Sequence, residues 1–196
     1  MIRILSISER VYMSKSTERK AIDKVFIMLG AMAAVVLIVA GGILLYGYSF
    51  ATGMVKDQLS AQNIYFPTKD SESFKALPAE DQAEVGKYAG QQLVDGEQAK
   101  VYANNYIAVH LNGIAGGKTY AEVSAAAMQN PSDTALQTQK TVLFQGETLR
   151  GMLLGSGYAF WTFGMIAYYS AIAAFAGAIV MLILVLFGLR HLAKVK

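Results

Sequence analysis

The sequence predicts an all-α membrane protein: two transmembrane helices with an extracytoplasmic helical domain between them. Val25–Val55 contains no Asp, Glu, Lys, Arg or His, and neither does Gly151–Leu189. A helix crosses a bilayer with about 20 mostly apolar residues, and each run is longer than that. The polar block between them carries helix-start and helix-stop signals and almost no strand alternation.

Charge sets the expected topology. Residues 1–24 hold Arg3, Arg10, Lys15, Arg19, Lys20 and Lys24 against Glu9, Glu18 and Asp23, and the tail adds Arg190, Lys194 and Lys196. The middle of the chain has more acids than bases. Basic residues close to span ends stay on the cytoplasmic side. The expectation is therefore a multi-pass protein of the cell membrane with both termini cytoplasmic and the central domain extracytoplasmic. The basic residues lie beside the apolar runs, which suits anionic lipid headgroups on the cytoplasmic side and not nucleic acid. The chain has no cysteine, which excludes disulfides, thiolate metal sites, c-type haem attachment and a cysteine nucleophile.

Taken in order, residues 1–24 form a cytoplasmic N-terminal segment. Within it, Ile4, Ile7 and Val11 recur at helical spacing, so residues 1–12 read either as a short interfacial helix or as a frayed tail, and Met13 is an alternative start. Transmembrane helix 1 spans 25–50. Ser49-Phe50-Ala51 has the small residues of a signal-peptidase site, but the apolar run before it far exceeds a typical signal core of about 7–15 residues. A retained helix is expected.

The extracytoplasmic domain spans 51–157. Pro78 fits a first helical position, with Glu80 and Asp81 in the first turn. Val85, Tyr88, Ala89 and Leu93 extend that helix to a break at Asp95-Gly96. A second helix runs from Glu97 to Ile114 on Val101, Tyr102, Ile107, Ala108, Leu111 and Ile114, and Gly116-Gly117 end it. Thr119 and Glu122 form a capping box that opens an alanine-rich helix stopping before Pro131. Ser132 or Asp133 caps a last helix carrying Leu136, Leu143, Leu149, Met152 and Leu153. This helix runs into the second span through Gly151, Gly155 and Gly157. Only Asn63–Pro67 hints at a strand.

Transmembrane helix 2 spans 158–189 and the cytoplasmic tail 190–196. At 1.5 Å per residue that span is about 48 Å long against a hydrocarbon core of about 30 Å, so it tilts or projects. Tyr46, Tyr48 and Phe50 at the end of the first span, with Tyr158, Phe160, Trp161 and Phe163 at the start of the second, are expected membrane-interface aromatics. Ala167, Ala171, Ala174 and Ala178 form a small-residue stripe, and Gly30, Ala34 and Gly41 a comparable one. Such stripes let helix backbones approach closely and mark candidate helix-packing interfaces, here expected to face a partner protein. Leu182 and Leu186 are expected among lipid-facing positions.

Chemistry-bearing motifs are few. Gly113–Thr119 has the end of a phosphate-binding loop, but Asn112 stands where that pattern requires glycine; a helix C-cap followed by a capping box explains the same residues. His110 and His191 fall on opposite sides of the expected bilayer and share no ligand set. Glu122 and Glu147 have no identifiable catalytic partner, and no serine stands in a nucleophile elbow. No catalytic residue, metal or cofactor is expected. Uninterrupted apolar spans also argue against a proton or ion pathway.

Tyr88-Ala-Gly-Gln-Gln, Gly116-Gly-Lys-Thr-Tyr-Ala-Glu122 and Leu143-Phe-Gln-Gly-Glu-Thr-Leu-Arg-Gly151 resemble an actinobacterial family of two-span membrane proteins, over residues 50–190. That family often carries a ring-opening dioxygenase label whose metal ligands are missing here. The chain is also similar to the accessory subunit, of the supercomplex association factor type, of the cytochrome bcc–aa3 respiratory supercomplex. The resemblance implies a non-catalytic subunit that braces or shields the complex, with integral membrane subunits as partners and no site residues to carry over. The alternative is a stand-alone cell-envelope protein whose external domain binds lipid, wall polymer or a secreted partner.

Overall fold

The computed structural model describes the backbone of residues 7–194 and the side chains of residues 18–194. Ile4 of the expected interfacial segment and Lys196 of the basic tail lie outside the described residues. Every element among the described residues is helical, with no strand. Two helical stretches, Glu18–Ala61 and Thr134–Lys194, are long and apolar enough to cross a membrane.

The chain divides into two compact units. The first combines residues up to Tyr46 with Ala167 onward. It consists of the N-terminal part of α1 (Ile7–Ala61) and most of α8 (Phe160–Lys194). Residues from Ile7 thus begin α1 and form no separate interfacial element.

The second unit is Gly47–Ile166. It holds the end of α1, then α2 (Glu72–Lys75), α3 (Ala79–Val85), α4 (Gly96–Val101), α5 (Ala108–Ala115), α6 (Tyr120–Gln129), α7 (Thr134–Met152) and the first turns of α8. Two π-helical stretches interrupt this sequence, Tyr102–Ile107 between α4 and α5 and Leu153–Ala159 between α7 and α8. The core is made by Val55 and Leu59 of α1, with Phe66, Val85, Leu93, Leu111, Val123, Leu143 and Leu153 among its buried members.

Local chemistry explains most boundaries. Asn63, at φ 53°, turns the chain just after α1; asparagine tolerates the left-handed region better than most residues. The Thr119–Glu122 capping box is present in both directions, and Asp133, not Ser132, caps α7 by accepting from the Leu136 amide. Gly116 (φ 60°) ends α5 in the left-handed conformation, so Gly113–Thr119 is a C-cap followed by an N-cap.

Two expectations need correction. Pro78 is the N-cap of α3, one residue before the first helical position, and α3 stops at Val85 with Gly86 as its C-cap. Tyr88, Ala89 and Leu93 therefore do not continue that helix. Instead Gly90 adopts φ +73°, and the amides of Phe66 and Leu93 donate to the carbonyls of Gln91 and Ile64, each at 2.9 Å. That antiparallel bridge, centred on Tyr65 and Gln92, takes up the backbone groups a longer helix would need. It is also what becomes of the strand hint at Asn63–Pro67.

Candidate functional site

In the first unit the small-residue stripes meet each other. On α1 the less exposed positions include Asp23, Ile27, Gly30, Ala34, Leu37, Gly41 and Leu44, a row in alternating steps of four and three. On α8 they include Ala171, Phe175, Ala178, Met181, Val185 and Gly188. Steps averaging 3.5 residues are the seam of a left-handed helix pair, in which each side chain enters a gap on the facing helix.

The glycines provide those gaps. A Cβ on Gly30 would lie 3.0 Å from Val185 Cγ2, one on Gly41 2.8 Å from the Phe175 ring, and one on Gly188 2.8 Å from Ile27 Cγ1. Ala34 and Ala171 are fully buried and Ala178 nearly so, while Ala167 and Ala174 lie partly exposed. Ala34, Ala171 and Ala178 therefore lie in the seam between the chain's own two helices. Bulky groups such as Val36, Leu182 and Leu186 point outward.

The interface aromatics divide. Tyr46, Phe50 and Phe163 are largely exposed, and Tyr48 is intermediate. Phe160 and Trp161 pack against the core of the second unit. Trp161 covers Gly96, where a Cβ would come within 2.5 Å of its own Cβ, and Gly157 similarly admits Ala99 at 3.0 Å. Two glycines thus let α4 lie directly on the second π-helical stretch and the first turn of α8. Tyr158 offers its ring face to Lys100, whose Nζ is 4.9 Å from the centroid.

The polar groups of the second unit are engaged structurally. Arg150 donates from Nε to the Ala103 carbonyl at 3.1 Å, from Nη1 to Glu147 at 2.9 Å and from Nη2 to Asn104 Oδ1 at 3.3 Å. The Ala103 carbonyl also accepts the Ala108 amide, so Arg150 takes up its second lone pair. Asn105, on the same stretch, donates to Asp81 at 2.8 Å. Glu122 receives the Thr119 amide and hydroxyl; the backbone hydrogen bond first, then the side-chain one, hold its carboxyl below the usual range.

An aromatic ladder crosses this unit. Tyr88 and Tyr102 both lie 5.2 Å from Phe66, Tyr106 lies 4.9 Å from Tyr102, and His110 lies 4.5 Å from Tyr106. Burial, then the neighbouring Tyr106, push the Tyr102 hydroxyl up to about 12. His110 Nδ1 sits 2.8 Å from the Tyr106 carbonyl. A carbonyl only accepts, so Nδ1 carries the proton. His110 is thus a half-buried histidine stacked on Tyr106. Among the described residues no three His, Asp or Glu side chains are placed to hold a metal ion.

Sequence reasoning missed three features. Gln98 completes a capping box with Asp95, legible as Asp followed three residues later by Gln. The Arg150 clasp joins groups far apart in sequence and leaves no local signal. Asp23 belongs to the seam, where a charge at one position of an apolar repeat was visible but read as a flanking residue. No protein family, curated protein or solved structure matches the chain.

Proposed function

We propose that this chain is a two-span protein of the cell membrane, with both termini cytoplasmic and residues 51–157 extracytoplasmic, serving as a non-catalytic accessory subunit of a cytochrome bcc–aa3 type respiratory supercomplex. One observation carries the reading: the two apolar helices close their small-residue seam on each other and turn a continuous bulky apolar surface outward. Such a surface is stable only against lipid or other membrane helices. The Arg150, Asp81 and Glu122 networks serve packing and capping, which suits a bracing role. The likeness of the sequence to the accessory subunit of that supercomplex is what suggests this particular complex.

Purification through a C-terminal tag in mild detergent tests this. Recovery of haem-containing membrane subunits at fixed stoichiometry is the expected result. Migration alone, without haem absorbance, favours the stand-alone envelope protein.

A further inference from the structure

In the second unit, α5, the turn after it, the start of α6 and α7 surround an open cavity of about 440 Å³, lined by Leu111, Asn112, Lys118, Tyr120, Glu147 and Arg150 among others. It is within the roughly 300–1,000 Å³ range of small-ligand sites. Three features of its lining restrict what fits. The first is charge. Arg150 is paired with Glu147 at 2.9 Å, and Lys118 lies in the field of Glu122, so each cation is answered by a carboxylate. The second is hydrogen-bonding capacity. Arg150 spends one N–H of each nitrogen on Ala103, Glu147 and Asn104, which leaves one on each terminal nitrogen. Glu147 meets Arg150 through Oε2, leaving Oε1 to accept, and the exposed Asn112 amide offers donors and an acceptor together. The third is an apolar edge. The Tyr120 ring stands 5.9 Å from the Phe144 ring at 46°, and Phe144 is 56% exposed, an aromatic surface beside a polar cavity that the unit's own core leaves unused.

We propose that this cavity binds a neutral pyranose, either as a free sugar or as a unit of a glycan. Its ring hydroxyls, each both donor and acceptor, meet Asn112, Glu147 and Arg150, and the C–H face of the ring lies on Tyr120 and Phe144. An anionic ligand would have to displace Glu147 from Arg150, and a cationic one would have to displace Arg150 from Glu147. A wholly apolar ligand would strip water from the polar groups without replacing its bonds. The site goes beyond the subunit role proposed above and depends on it only for which side of the membrane supplies the sugar.

Saturation-transfer NMR, observed on the sugar, with the full-length protein in nanodiscs free of sugar-based detergent, tests the proposal. The probes are glucose, mannose and galactose, a linear trisaccharide of each, and glucuronate and glucosamine as charged controls. A neutral sugar should receive saturation, strongest at the protons of one ring face, and the charged controls should receive less. Phe144→Ala and Asn112→Ala, both at exposed positions, should each weaken its binding about three- to tenfold while circular dichroism and Trp161 emission stay as in the parent chain. Tighter binding of a trisaccharide than of its monosaccharide supports the site with a glycan as the source; equal binding supports it with a free sugar. Absence of transfer to every neutral sugar overturns the proposal, as does stronger binding of glucuronate or glucosamine. So does sugar binding that both variants leave intact. Because the comparison of sugars is read on the unmodified chain, a misfolded variant leaves the test intact. Sugar binding by a protein whose residues 51–157 prove cytoplasmic rejects the orientation proposed above and not the site.

Discussion

Gly96 and Trp161 show how one missing side chain positions a large one. Gly96 opens α4, where alanine would ordinarily favour the helix by about 1 kcal/mol. Here the added carbon would meet the Cβ and Cγ of Trp161 at 2.5 and 2.6 Å, atoms fixed close to the backbone, so overpacking wins. Gly96→Val should destabilise the second unit by about 1–3 kcal/mol. Trp161 is the only tryptophan, so its emission should shift to the red at a lower temperature than in the parent chain. An unchanged melting curve would mean the indole does not lie there. Tyr102 gives a second residue-scale prediction. Its folded value of about 12 exceeds the ordinary value near 10, so at intermediate pH the unfolded chain loses a proton that the folded chain keeps. Stability from this group is therefore present below pH 10 and declines as pH rises from 10 towards 12. Denaturant titrations of Tyr102→Phe should lack that part of the decline.

Along the helices, the heptad seam makes a testable pair of Gly41 and Phe175. A leucine at 41 would occupy the space the Phe175 ring fills, since even a Cβ there comes within 2.8 Å. Gly41→Leu should lower resistance to SDS unfolding in mixed micelles by about 1–3 kcal/mol. Adding Phe175→Ala should restore much of it by vacating the space. Failure of the double variant to recover would argue against that contact. The capped helices were legible from sequence because caps are local chemistry: Thr119 with Glu122, Ser132 or Asp133 before α7, Gly116 after α5. The end of α3 was not. Val85, Tyr88 and Leu93 are all apolar and suitably spaced, but Tyr88 and Leu93 reach the core from outside the helix, Tyr88 in a turn closed on Val85 and Leu93 on the segment that Gln91 and Leu93 bond to Phe66 and Ile64. A periodicity cannot distinguish those arrangements.

For the whole molecule, composition revealed two apolar helices and a helical block, because a charge-free run exceeding 20 residues constrains structure more strongly than any local propensity. Which face of each helix meets what was only half legible. Small residues identified a seam at Ala34, Ala171 and Ala178, but a stripe does not name its partner, and the opposing stripe lay on the same chain. Asp23 escaped notice because its role depends on what α8 brings beside it. The absence of cysteine makes topology directly measurable. With the proposed orientation, a membrane-impermeant maleimide applied to intact spheroplasts should label Met128→Cys, whose parent side chain is 69% exposed. Lys194→Cys should react only after permeabilisation. The opposite pattern would invert the orientation, and equal labelling of both would rule out two spans.

The alternation of four and three along α1 also sets a rule of phase. Each added residue turns everything beyond it by about 100° around a helix of 3.6 residues per turn. One alanine inserted between Ala34 and Gly41 would swing Gly41 and Leu44 away from α8, although it adds only about 1.5 Å of length. Removing seven consecutive residues from the same helix shortens it far more but leaves the angular order within about 20° of where it began. Length change in this segment should therefore be tolerated in blocks of seven and resisted in single steps.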